Sequence, residues 1–255
     1  MTTNQLQRAS FRKFFPETLQ MQDIIVWAIH TPAGTIGLVT AALAIFAKKG
    51  GALHRKAGSC FTVFMMVMLV SGIAAGYLKN SIGDMMLGSI VMYTVFTAWL
   101  TVHHKKNETG LLEVIALIWV VGFAIAAFAI SMAWQEEEAP FAYLIWGGLA
   151  ILFALGDIRN LYHLGLSSTQ RIIRHVLRIG FSLVWAALAF TDKIVKMMGA
   201  DVKSVQGEQL LLIVGIPTML ILISILYWII KILFSSRDEF ARYGEPTGKI
   251  RKQGP

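Results

Sequence analysis

From Leu210 to Ile230 the chain carries no charged residue. A helix needs about 20 predominantly apolar residues to cross a hydrocarbon core of roughly 30 Å, so a run of this kind belongs in a bilayer. Six further stretches qualify, and the seven cover about 24–47, 59–78, 83–102, 111–134, 140–156, 175–191 and 209–234. Short loops carrying Lys-Lys, Gly-Gly, Asn, Glu or Pro separate them. In lipid the backbone must satisfy its own polar groups, which leaves helices or a closed barrel. The alternating strands of a barrel are absent. The expected fold is therefore all-α, a polytopic transmembrane bundle of about seven helices flanked by an N-terminal segment over 1–23 and a basic tail over 235–255. Composition excludes the alternatives: 56% hydrophobic against 15% charged fits neither a soluble domain nor a disordered chain.

The net charge of +8 raises the question of nucleic acid, but no long polar segment exists to present a basic surface in water. Sorted by side, the charge reports orientation instead. Seven spans place the loops near 48–58, 103–110 and 157–174 and the C-terminal tail on one side, with 16 basic residues against six acids, a net of +10. The other side holds seven basic residues against nine acids, a net of −2. Basic loops are retained inside, so the C-terminus is expected in the cytoplasm and the N-terminus outside. Aromatic residues agree: Trp27, Tyr77, Trp134, Tyr143 and Trp146 fall at outer ends, and Trp99, Tyr162, Tyr227 and Trp228 at inner ends.

The first helix is not read as a cleaved signal, because it is longer than a signal core and Lys48-Lys49 follows as a stop to translocation. Phe11-Arg12-Lys13-Phe14-Phe15 is expected to lie in the outer interface. Cys60 is the only cysteine, so an intrachain disulfide and a cysteine metal site are both excluded.

Three helix faces carry polar groups. His30, Gly34, Gly37, Ala41 and Ala44 share one face of the first helix, which suits a close helix–helix seam with a mild kink at Pro32. The sharper reading makes His30 a proton-active or ligating group in the outer leaflet. On the third helix Tyr93, Thr97, Thr101 and His104 lie on one side, for interhelical hydrogen bonds or the wall of a cavity. The sixth opens with Arg171, Arg174, His175 and Arg178 on one face, continued by Ser182 and Trp185. Those arginines either reach to lipid phosphates or, with Asp157 and Arg159 ending the preceding helix and Glu113 opening the fourth, form a buried ion pair or an anion clamp.

Five of the six histidines, His54, His103, His104, His163 and His175, gather at the inner ends. A b-type haem would therefore form there, best from His103 or His104 with His175 and with Arg174 or Arg178 near the propionates. An outer haem would need His30 with Met85 or Met86. No zinc spacing, phosphate-binding glycine loop, nucleophile elbow or Cys/His dyad is present, and no metal site is expected.

The motifs His30-x3-Gly34 and His54-Arg55-Lys56-Ala57-Gly58, with Gly156-Asp157-Ile158-Arg159 and Arg174-His175-Val176-Leu177-Arg178, resemble those of a family of bacterial integral membrane proteins classified as a domain of unknown function. They span about two thirds of the chain, while the fourth and seventh helices match nothing in that pattern. The resemblance implies a bacterial plasma-membrane protein and no particular reaction. Helices with a His and nearby Gly also resemble membrane b-type cytochromes. Three functions follow as expectations: haem- or quinone-linked electron transfer at the inner face, anion transport or lipid handling through the Arg face, and a structural subunit without catalysis. Gly215-Ile216-Pro217 and Thr31-Pro32, as sites of local unwinding, fit the second. The expected surroundings are the lipid bilayer and either a second copy or a membrane partner subunit, with no nucleic acid.

Overall fold

The computed structural model describes residues 21–103, 109–133, 140–163, 165–197 and 211–234. Those residues form seven helices long and apolar enough to cross a membrane, so the chain is a multi-pass membrane protein with an all-α polytopic bundle. They are α1 (Met21–Phe46), α2 (Ala52–Leu78), α3 (Ile82–His103), α4 (Leu111–Ala133), α5 (Pro140–Tyr162), α6 (Ser168–Met197) and α7 (Ile216–Phe234, led in by a π-helical turn over Leu211–Gly215). Two helices begin well ahead of their apolar stretches. α2 starts at Ala52, taking in His54, Arg55 and Lys56, and α6 starts at Ser168, taking in Arg171 and Arg174. An apolar window finds where a helix meets hydrocarbon, whereas the helix itself begins at its cap. Ser167 caps α6 with Gln170 in a reciprocal pair: Ser167 Oγ accepts from the Gln170 N–H at 3.3 Å and Gln170 Oε1 accepts from the Ser167 N–H at 3.0 Å.

The turn from α1 to α2 needs its glycines. Gly50 has φ 71°, and a Cβ on Gly51 would stand 2.9 Å from the Lys48 carbonyl oxygen. At the far end of α2, Asn80 takes φ 53° while the Ser81 N–H bonds back to the Gly76 carbonyl at 2.8 Å, which turns the chain directly into α3.

Both prolines expected to unwind a helix sit instead just after a π-helical turn, Val26–His30 before Pro32 and Leu211–Gly215 before Pro217. A proline ring clashes with the carbonyl four residues earlier, and a widened turn moves that carbonyl aside without breaking the helix. The helices continue through.

The closest backbone contacts join α1 with α2, α2 with α3, α3 with α6 and α4 with α5, while α7 lies along α6. α3 touches α2, α4 and α6 and is the most buried span; α7 is the least. α5 runs against α4 and reaches α3 and α6 chiefly through side chains. Rings of Tyr93 and Phe153 (5.9 Å), Phe153 and Phe181 (5.5 Å), and Trp146 and Trp185 (6.3 Å) fill the space between them. The outward faces are apolar, as with Val63, Ile118, Ile125 and Leu152, each at least 60% exposed, which is what lipid-facing surface requires.

Candidate functional site

Helix α6 is amphipathic, and its polar face points into the bundle. Arg171 and Arg178 are 8% and 3% exposed, and Ser182 is fully buried. Each turn of that face meets α3. Arg171 Nε donates to the Thr101 carbonyl at 3.0 Å, in the last turn of α3, where carbonyls lack helical partners. His175 Nδ1 stands 3.2 Å from the Ala98 carbonyl, so that nitrogen carries the proton. Arg178 Nη2 donates to the Tyr93 hydroxyl at 3.1 Å, and its guanidinium lies 5.1 Å from the centre of the Tyr93 ring and 5.7 Å from that of Phe153.

Asp157 joins the third helix to this seam. Its carboxylate, 1% exposed, accepts the Tyr93 hydroxyl on Oδ2 at 2.5 Å and Arg174 Nη2 on Oδ1 at 2.7 Å, and Arg178 Nη2 reaches the same Oδ1. Two guanidiniums thus meet at one oxygen. Their side chains retain 11% exposure for Arg174 and 4% for Arg178. Glu113, 4% exposed, lies within electrostatic range of Arg174, and its Oε2 accepts the Gly110 N–H at 2.9 Å at the start of α4. Arg174 Nε and Arg178 Nη1 are buried and have no hydrogen-bond partner among the described residues. A buried charged donor left unmatched is costly, and native proteins keep few.

Of the residues singled out from sequence, Asp157, Arg174 and Arg178 come together. Arg159 does not: it is exposed, on another face of α5. Tyr93 is the member whose role sequence understated, having been grouped with Thr97 and Thr101. Those two hydroxyls turn back to their own helix, bonding the Tyr93 and Thr97 carbonyls at 2.6 Å each, so only Tyr93 crosses.

The histidines are spread along the same end. His54 Nδ1 is 2.9 Å from the Ala44 carbonyl at the end of α1, and His103 folds back onto the Trp99 carbonyl at 2.9 Å with its ring 4.3 Å from that indole. His104 lies outside the described residues. Lys49 completes the α1 terminus, its ammonium donating to the Ala44 (3.0 Å) and Ile45 carbonyls, and burial pulls its pKa below the ordinary lysine value. The Trp228 ring takes Lys49 at 5.0 Å and Lys231 at 5.2 Å. Among the described residues no three His, Cys, Asp or Glu side chains stand close enough to hold a metal ion.

At the opposite end, His30 closes the π-helical turn of α1. Its Nδ1 donates to the Met68 carbonyl of α2 at 2.8 Å. The ring rests on Gly72, where a Cβ would come within 2.9 Å of His30 Cε1. Gly34 and Gly37 likewise leave room for Met68 and Met65. Between α4 and α5 an apolar groove, lined by residues such as Ile125, Phe128, Ile151 and Ile158, offers no polar group to orient a ligand.

No family model, curated protein or solved structure matches the chain. The resemblance to the bacterial family thus rests on the short motifs alone.

Proposed function

We propose that this multi-pass membrane protein binds an anionic group through Arg174 and Arg178 at the basic end of its bundle, as a transporter or lipid-handling protein. The observation that carries the reading is the pair of buried donors, Arg174 Nε and Arg178 Nη1, without a partner on two guanidiniums that share a single carboxylate oxygen. Arginine's fixed fork suits carboxylate and phosphate oxygens, and a bound oxyanion would remove the cost of the unmatched donors. In this reading the protein lies in a bacterial plasma membrane, N-terminus outside and C-terminus cytoplasmic, so the site opens to the inner leaflet. Native mass spectrometry of protein extracted from its membrane tests it. A retained anionic adduct should vanish in the Arg174→Gln/Arg178→Gln variant, and its persistence would overturn the proposal. Orientation is checked separately with single cysteines at Lys48 and Lys79 in a Cys60→Ser background: a membrane-impermeant thiol reagent added to intact cells should label only the Lys79 position.

The alternative is a b-type haem on His103 or His104 with His175. In its favour, His103 and His175 both engage Nδ1 with a backbone carbonyl, the arrangement that orients an imidazole for ligation through Nε2. Against it, α3 and α6 run in direct contact beside both residues, where a porphyrin would need a slot. A dithionite-reduced spectrum of protein from haem-replete cells decides, since the haem reading requires a Soret band that His175→Ala removes.

A further inference from the structure

Arginine and a carboxylate frequently meet through two parallel bonds, two donors of one guanidinium on the two oxygens of one carboxylate. Neither arginine beside Asp157 does so. Arg174 and Arg178 each bring Nη2 to the same Oδ1, and a second donor of each fork, Nε of Arg174 and Nη1 of Arg178, has no partner among the described residues. The oxygen that would complete either pair is Oδ2, and it accepts the Tyr93 hydroxyl at 2.5 Å instead. A carboxylate oxygen can take a second bond, so Tyr93 acts by direction as much as by occupancy: it ties Oδ2 to α3 and stops the carboxylate from turning that oxygen toward the arginines of α6. Tyr93 also holds Arg178. Nη2 carries two hydrogens, one on Asp157 and one on the Tyr93 oxygen at 3.1 Å, and the rings of Tyr93 and Phe153 lie 5.1 Å and 5.7 Å from the guanidinium carbon.

We infer that Tyr93 is the positioning residue of the anion site: by anchoring Asp157 Oδ2 it keeps the carboxylate from closing a two-bond pair with Arg174 or Arg178, and so keeps one donor of each arginine available to an oxyanion. This inference rests on the anion-binding reading above. Asp157 is then both the partner that orients the two guanidiniums and a competitor for the donors the ligand uses. Without the Tyr93 hydroxyl the carboxylate turns, Oδ2 meets Arg174 Nε or Arg178 Nη1, and a vacant donor is consumed inside the protein. The neighbouring hydroxyls cannot take over, because Thr97 and Thr101 bond the Tyr93 and Thr97 carbonyls of their own helix. Tyr93 therefore sets affinity without touching the ligand, whereas Arg174 and Arg178 set it by contact.

The test is a double-mutant cycle read by ligand affinity. Purified full-length protein in an uncharged detergent is titrated calorimetrically with inorganic phosphate and with short-chain phosphatidylglycerol, which share phosphate oxygens and differ in source. Tighter binding of the lipid assigns a membrane source; equal or tighter binding of inorganic phosphate assigns a soluble one. Tyr93→Phe should weaken the tighter probe at least ~tenfold, the size of one charged hydrogen bond lost, in protein with wild-type helical dichroism. The same change in an Asp157→Asn background should cost less than about threefold, because a carboxamide has one acceptor oxygen and cannot close a two-bond pair with a guanidinium. A merely structural tyrosine would lower affinity by the same factor in both backgrounds, and that result overturns the inference, as does a Tyr93→Phe protein that binds like wild type. Should Asp157→Asn not fold, a crystal structure of Tyr93→Phe decides: Oδ2 within hydrogen-bond distance of Arg174 Nε or Arg178 Nη1 supports the inference, and Oδ2 away from both overturns it. Each of these failures leaves the anion-binding reading intact. Probes that bind nowhere, or bind the Arg174→Gln/Arg178→Gln variant as tightly as wild type, overturn that reading itself.

Discussion

The α1/α2 seam around His30 and the α3/α5/α6 cluster around Asp157 answer the same problem, an ionisable side chain inside a membrane span, in opposite ways. At His30 the solution is removal of bulk. Gly72 clears the space for the imidazole, Gly34 and Gly37 clear it for two methionines, and the His30 Nδ1–H meets a backbone carbonyl. At Asp157 the solution is opposite charge, with a carboxylate, a phenol and two guanidiniums converging from three helices. The His30 N–H meets its carbonyl, whereas two forked cations on one carboxylate oxygen leave donors over. Small-residue packing therefore explains the first region as architecture, and the second retains capacity that architecture does not use.

The sharpest way to break the contrast is Asp157→Ala. Removing one partner from a buried ionic group leaves two guanidiniums uncompensated and should destabilise the bundle by about 3–5 kcal/mol, read as unfolding in detergent. Survival with near-wild-type stability would mean that the arginines already reach water or lipid phosphate. Gly72→Ala probes the other region. A Cβ there stands 2.9 Å from Cε1 and 3.0 Å from Nδ1 of His30, a ring held by its bond to the Met68 carbonyl, so either the helices separate or that bond is lost. The expected cost is about 1–3 kcal/mol, and His30→Ala in the same chain should recover part of it. A loss in Gly72→Ala that His30→Ala does not relieve would place the strain elsewhere. Tyr93→Phe comes next. It removes the hydroxyl that donates to Asp157 and accepts from Arg178 but keeps the ring against Phe153 and Trp119, so a loss of about 1–2 kcal/mol is expected in the same unfolding assay. A neutral Tyr93→Phe would show that Asp157 is satisfied by the guanidiniums alone.

Much of this was legible in the sequence because the membrane imposes a long apolar run on every span and makes each polar exception visible. Asp157 facing Arg174 and Arg178 was readable for that reason, as was the His30 face with its glycines. Two kinds of feature were not. Helix starts such as Ser168 depend on a capping pair in water, which an apolar window ignores. The choice of Tyr93 over Thr97 and Thr101 as the crossing residue depends on length: a threonine hydroxyl finds its own helix's carbonyl first, and a phenol is carried past it to the neighbour. The attachment of α5 through aromatic rings was hidden for a related reason, since Phe153, Phe181, Trp146 and Trp185 read as ordinary apolar positions until the helices stand side by side.

Arg159 separates proximity in sequence from membership of the site. It follows Asp157 by two residues, and that nearness put it among the candidate anion ligands. Two residues rotate a helical side chain by about 200°, so a carboxylate pointing at α3 and α6 sends its second neighbour away from them. The burial pattern agrees, with Asp157 and Asn160 at 1% and 3% exposure and Arg159 exposed. Arg159→Ala should accordingly change stability by no more than about 0.5 kcal/mol and leave retention of an anionic ligand at the wild-type level. Should it weaken anion retention as much as Arg174→Gln does, the binding surface would have to extend around α5 to its exposed side. The contrast between the two regions would then fail, because the anion would be held at the rim of the bundle and not by the buried donors of Arg174 and Arg178.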